Sequence, residues 1–285
     1  MKTRIITGVI LVAAVIAWLF FASYEVFAIG ALFMYVVGAY EMGPLIGFKS
    51  RLSFVTLAVV AACIVFYFAV PGKFVTGEIP AWCYALTASG IALWVIALPL
   101  LYKFPKGCLW HKNRFLASVF SLWMLLPFLI GLLILRSSGY AQNPLQGAFL
   151  LAAVMALAIL ADTGAYFCGK ALGKTPMIPR VSPHKTLEGL AGGLLLALLG
   201  MLVFIKLGWY AGYEAALIPM LVIGALTVLF SVVGDLVESM LKRLAGIKDS
   251  GRIFPGHGGM LDRIDSQLAV IPVFTGLNYL LSLAA

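Results

Sequence analysis

Nine apolar runs dominate this chain, at roughly 5–22, 26–43, 53–71, 80–102, 115–135, 145–168, 188–207, 214–234 and 266–284. Most approach the ~20 residues a helix needs to cross the hydrocarbon core of a bilayer. Only 11% of the 285 residues are charged, where a soluble domain carries about 25%. Mean hydropathy is +1.06. No water-soluble fold of this size hides so much apolar surface. The expected fold is therefore all-α: a polytopic integral membrane bundle of about nine transmembrane helices, forming a single transmembrane domain over 1–285. Glu41 weakens the second run and glycines weaken the seventh. The first run follows Lys2 and Arg4 but lacks a clear small-x-small cleavage site, so it reads as a retained span. Cys63, Cys83, Cys108 and Cys168 are scattered without metal or disulfide spacing.

Charge gives the orientation. With a cytoplasmic N-terminus, 17 of the 20 lysines and arginines fall on the cytoplasmic side, leaving Lys73, Arg136 and Lys206 outside. This is strong positive-inside asymmetry. Topology thus accounts for most of the net charge of +9, and no nucleic-acid partner is called for. Acidic residues are more informative, because topology does not ask for them.

Five of the 11 acids, Asp235, Glu238, Asp249, Asp262 and Asp265, lie within 235–265. Spacings of three, four and seven put Asp235, Ser239 and Lys242 on one helical face, with Arg243 beside them. Taken alone, this segment also fits an interfacial helix with a Glu238–Lys242 ion pair at i,i+4. Lys248–Gly259 contains four glycines and a proline and reads as a loop. Such loops bring backbone N–H groups close to phosphate oxygens. Lys248 and Arg252 supply charge there, and His257 fits either a phosphate donor or a loop-structuring role. Asp262 and Asp265 are expected on one face at the entry to the last helix, where acids also complement the helix dipole. Carboxylates about 4 Å apart repel by roughly 4 kcal/mol at an effective dielectric near 20. If the turn brings Asp235 to this pair, a cation must join them, and hard oxygen ligands beside phosphates point to Mg²⁺.

Asp162 lies inside an apolar run, about two turns from its cytoplasmic end. An acid there costs about 2.5–3.5 kcal/mol on insertion scales and is a functional candidate. The bland reading is a packing hydrogen bond with Thr163 or Tyr166. Ser182, Lys185 and Glu188 follow on the same membrane face.

Ser239, Lys242-Arg243, Lys248-Asp249, His257-Gly258-Gly259, Asp262-Arg263 and Asp265 together resemble the signature of the bacterial phosphatidate cytidylyltransferases (CDP-diacylglycerol synthases). The D-T-G-A-Y-F-x-G run from Asp162 and the S-P-x-K-T-x-E-G run from Ser182 are similar to that family too, although His184 and Leu187 stand where its pattern has Lys and Trp. The resemblance implies an enzyme of the bacterial inner membrane that converts CTP and phosphatidic acid into CDP-diacylglycerol and pyrophosphate at its cytoplasmic side. It implies Asp235, Asp262 and Asp265 on Mg²⁺, with room for a second cation. Lys242, Arg243, Asp249 and His257 would take catalytic roles. Asp162, Ser182, Lys185, Ser239, Lys248, Gly258, Gly259 and Arg263 would bind substrate. The spans to about 135 would be scaffold, and the stretch from about 145, with loops 169–187 and 235–265, would carry the chemistry. A homodimer is compatible with it. Two other classes compete: a CTP-dependent lipid-alcohol kinase, and a cation-coupled transporter using Glu41 and Asp162. A CDP-alcohol phosphatidyltransferase is disfavoured, because no D-G-x-x-A-R run precedes Asp262.

Overall fold

The structure is a computed structural model describing residues 2–106, 108–211 and 216–284, with side chains given from residue 6 onward. Lys2 and Arg4, counted in the charge asymmetry, and the start of the 214–234 run lie outside the described side chains or residues. The long helices are α1 (Lys2–Phe20), α2 (Tyr24–Leu45), α3 (Arg51–Ala69), α4 (Ala81–Tyr102), α5 (Arg114–Ser137), α6 (Gln146–Leu172), α7 (Leu187–Lys206) and α8 (Leu217–Ala245). A short α9 (Leu261–Ile264) then precedes α10 (Gln267–Ala284). Among the described residues, eight helices, α2–α8 and α10, are long and apolar enough to cross a membrane, and the apolar part of α1, Ile6–Phe20, is shorter. The chain is thus an all-α polytopic membrane protein.

Two departures from the expected layout matter. The 169–187 segment is not an open loop: α6 runs on to Leu172, and Pro176–Ile178 (β1) pairs antiparallel with Ser182–Thr186 (β2). The last span is not continuous with Asp262 and Asp265 either. Asp262 lies in α9 and Asp265 at the break before α10.

Burial ranks the helices. Every residue of α5 from Pro127 to Ser137 is buried, as is every residue of α10 from Gln267 to Gly276. These two form the bundle's centre, and α10 packs against α4, α5, α6 and α8. By contrast, α3 buries only Phe54, Ala58, Ala62 and Ala69, a stripe at i, i+4, i+8 and i+15. Its other faces point outward and are apolar, as a lipid-facing helix requires.

The glycines that weakened the seventh span in sequence are what pack it. A Cβ on Gly164 of α6 would lie 2.6 Å from the Gly192 carbonyl oxygen, and one on Gly193 of α7 would lie 2.4 Å from that of Ala161. Small residues let the two backbones touch, the usual basis of helix pairing in lipid, where apolar side chains alone supply no drive. This seam flanks Asp162.

Helix ends are closed by their own sequence. Ser23, Asn113 and Thr186 cap α2, α5 and α7 by accepting backbone N–H bonds. Gly246, at φ +69°, ends α8, and Ile247 N–H reaches back to the Lys242 carbonyl at 3.0 Å. At the end of the bundle away from the acids, the buried Arg136 guanidinium donates to the Pro144 and Ala22 carbonyls at 2.9 and 3.1 Å and lies over the Phe27 and Tyr140 rings. It ties the start of α2 to the α5–α6 turn. Arg136→Leu should leave both carbonyls without that donor, at about 1–3 kcal/mol each. A thermal melt in detergent should show a drop of several degrees, with activity per folded molecule retained, since the tie is remote from the acidic cluster.

Candidate active site

The C-terminal ends of α2, α6 and α8, the β-hairpin and the 246–266 segment all meet at one end of the bundle. Gly234 explains how the last of these comes so close. A Cβ there would strike the Asp265 carbonyl oxygen at 2.7 Å, so the α9–α10 corner lies directly on α8 beside Asp235. Lys185 of β2 completes the group, its ammonium 2.5 Å from the Asp235 carboxyl. Ser239, one turn on from Asp235, donates to it at 3.3 Å. Asp162 opens into the same cleft, where Lys185 and Asp235 are its charged neighbours. It makes no bond to Thr163, whose hydroxyl donates to Ile159.

The cleft has a volume of about 180 Å³. Asp162, Lys185 and His184 form its polar part, and Tyr166, Leu190 and Val232 are among its apolar walls. Burial, and next the negative charge of Asp235, push the Asp265 carboxyl well above the usual range. Its Oδ1 accepts the Ser266 N–H at 2.8 Å.

Asp262 belongs to a second cluster. Lys242 donates to its Oδ1 at 2.8 Å and also lies 2.5 Å from Glu238, which confirms the i,i+4 pair. Its Oδ2 accepts from Ser250 N, Ser250 Oγ and Gly259 N at 2.9, 3.0 and 2.7 Å. Burial opposes ionisation, but the Lys242 ammonium and these donors outweigh it and hold the carboxyl below its usual range. The three aspartates are therefore divided. Asp235 and Asp265 lie where α8 meets the α9–α10 corner, while Asp262 anchors the glycine-rich loop. Among the described residues, no three His, Cys, Asp or Glu side chains form a ready metal-binding group. A pair of carboxylates still suits Mg²⁺, which commonly takes one or two from protein and the rest from phosphates and water.

The loop itself is tightly built. Phe254-Pro255-Gly256-His257 forms a turn of type II character: Pro255 at its second position, Gly256 at φ +77°, and His257 N–H donating to the Phe254 carbonyl at 2.9 Å. Gly258, at φ +80°, also has no room for a Cβ, which would fall 2.5 Å from Asp262 Oδ2. Around this turn Arg243, Lys248, Asp249, Arg252 and Arg263 are exposed and form a mixed, mainly basic rim. Glu188 does not enter the cleft. It accepts from Lys174 N, Thr175 N and Thr175 Oγ1 and pins the hairpin to α7. Ser182 lies half-buried at the start of β2.

Sequence reasoning missed two residues here. Glu41 of α2 is 1% exposed, accepts from Met260 N and Leu261 N, and lies 3.0 Å from Ser250 Oγ. Ser250, 2% exposed, is the hydroxyl that both Glu41 and Asp262 contact. An acid inside an apolar run was a visible signal for Glu41. Nothing in the sequence marked Ser250 or paired Glu41 with a loop some 210 residues away.

The Cytidylyltransferase family pattern matches residues 2–281, nearly the whole chain. This chain belongs to that family. It is a nucleotidyltransferase. It is 36% identical over 281 residues to the phosphatidate cytidylyltransferase of Haemophilus influenzae, covering 96% of this chain and 97% of that one. It is 36% identical over 277 residues to the enzyme of that name in Pseudomonas aeruginosa, at 97% and 96% coverage. For the Bacillus subtilis protein of the same name, identity is 34% over 287 residues, at 99% and 98% coverage. The expected family is therefore the one found.

Proposed function

We propose that this nucleotidyltransferase transfers the cytidylyl group of CTP to phosphatidic acid, yielding CDP-diacylglycerol and pyrophosphate at the cytoplasmic face of a bacterial inner membrane. One observation carries the reading. Asp162 and Lys185 line a cleft with an apolar wall, Lys185 pairs with Asp235 beside the Asp265 corner, and a basic rim lies at the same bundle end. An amphiphilic phosphate and a nucleotide triphosphate both find complementary surroundings there.

The chemistry asks little of a general base. A phosphatidate oxygen is already anionic, and it attacks the α-phosphorus of CTP while the bond from that phosphorus to the bridging oxygen of the pyrophosphate breaks. The barrier lies in bringing two anions together, so positioning and charge neutralisation dominate. Lys185 suits the lipid phosphate, because it lies between the cleft and Asp235. Arg243, Lys248, Arg252 and Arg263 suit the triphosphate. Lys242 is already held by Glu238 and Asp262, so its role is to fix the loop. Asp235 and Asp265 would hold Mg²⁺, which when bound offsets triphosphate charge and favours departure of pyrophosphate. Acyl chains remain among the outward apolar faces.

The test uses purified protein, phosphatidic acid, Mg²⁺ and CTP labelled at either the α- or the γ-phosphorus. Label from the α position should enter the lipid, and γ label should leave as pyrophosphate. Transfer of γ label to a lipid alcohol would replace this reading with a kinase. Solute flux in liposomes without CTP would replace it with a transporter.

A further inference from the structure

We infer that Glu41 is a positioning residue for nucleotide binding, acting through the glycine-rich loop from a helix outside the segment that carries the family signature. The inference rests on the proposed cytidylyl transfer at this site and adds a component to it.

Glu41 lies four residues before the end of α2, among apolar neighbours, and is almost wholly buried. Both its oxygens are used. Oε1 accepts Met260 N–H at 3.0 Å, and Oε2 accepts Leu261 N–H at 2.9 Å and faces Ser250 Oγ at 3.0 Å. Met260 and Leu261 form the entry of α9, whose first N–H groups have no partner within so short a helix. Glu41 therefore fixes the loop at both ends: at Ser250, directly after Lys248-Asp249, and at 260–261, directly after His257-Gly258-Gly259. The intervening residues, including Arg252, can vary little in position while both ends are held.

The fit is tight enough to dictate two glycines. A Cβ on Gly251 would lie 2.0 Å from Glu41 Oε1, and one on Gly259 would lie 2.4 Å from each carboxyl oxygen. Two glycines of the loop are thus accounted for by the need to receive this side chain. Asp262 holds the same Ser250 and also accepts from Gly259 N, so the loop is tied both to an acid of α2 and to an acid of α9.

Glu41→Gln keeps size and shape but replaces one acceptor oxygen with a donor. One of the two N–H groups of 260–261 then loses its partner and the loop loosens. In detergent-purified protein assayed with labelled CTP and phosphatidic acid, kcat/KM for CTP should fall about 10- to 100-fold. The KM for phosphatidic acid should stay within about twofold, because the lipid-side groups Lys185 and Asp162 do not touch the loop's anchor. Trypsin should cut after Lys248 or Arg252 faster in the variant, and added CTP should restore protection. Unchanged constants for CTP, or equal loss toward both substrates with unchanged cleavage, would overturn the proposal. Should Glu41→Gln fail to fold, Gly251→Ala displaces the same carboxyl and is read in the same way. If the wild-type chain makes no CDP-lipid, the cytidylyl-transfer reading falls, while the cleavage rates still decide whether Glu41 holds the loop.

Discussion

Asp235→Asn should lower CDP-diacylglycerol formation by on the order of 10²–10³-fold, the scale at which loss of one preorganised charge-stabilising group is felt, while the protein remains folded. Asp235 touches Lys185 and Ser239, and its neighbour Gly234 lies against the backbone of the α9–α10 corner, so it sits where three elements of the site meet. The amide keeps the bond to Ser239 but drops the charge that holds Lys185 and would help bind Mg²⁺. The variant's melting temperature should change little, because Asp235 is a quarter exposed and its pair with Lys185 is partly solvated. Raising Mg²⁺ should recover part of the rate if Asp235 is a cation ligand, and none if its only task is to orient Lys185. Initial rates across a Mg²⁺ series separate these outcomes. A variant with near-full activity at every Mg²⁺ level would remove Asp235 from the chemistry.

Gly164→Ala should also lower activity, by a different route. The added methyl would meet the Gly192 carbonyl oxygen at 2.6 Å and the Gly193 Cα at 2.9 Å. These are backbone atoms of α7 and cannot rotate away. The helices must separate, at about 1–3 kcal/mol for overpacking of this kind. Asp162 lies two residues before Gly164, and Lys185 two residues before α7 begins, so the cleft widens with the seam. We expect activity to fall at least about tenfold for a misplacement on the scale of 1 Å, together with a lower melting temperature. The same substitution at Gly72, where no atom lies within 4 Å of the added Cβ, should be close to silent. Equal behaviour of the two variants would refute the seam's role.

The apolar runs fixed the helices because span length is a local property, set by bilayer thickness and read directly along the chain. The same holds for the Glu238–Lys242 pair, which needs only helical spacing. The charged stretch from Asp235 to Asp265 marked the site for a related reason: charge in such an apolar chain needs a purpose, and the matching family pattern named one. The division of the aspartates was not local. Asp262 and Asp265 are three residues apart, yet a helix break at Asp265–Ser266 sends them to different surroundings, one to Lys242 and Ser250, the other against α8 beside Asp235. The hairpin over 176–186 likewise depends on Glu188 pinning its base to α7.

By itself, the sequence determined that this chain is a multi-span helical enzyme whose polar residues gather at one end. Only the tertiary structure decided which acids meet, and that Glu41 of α2 holds the loop at 250–261. The reason is physical. Burial in a span obliges an acid to find hydrogen-bond donors, but which donors it finds depends on how the helices pack, and that is settled by close backbone approach at glycines such as Gly164, Gly193 and Gly234.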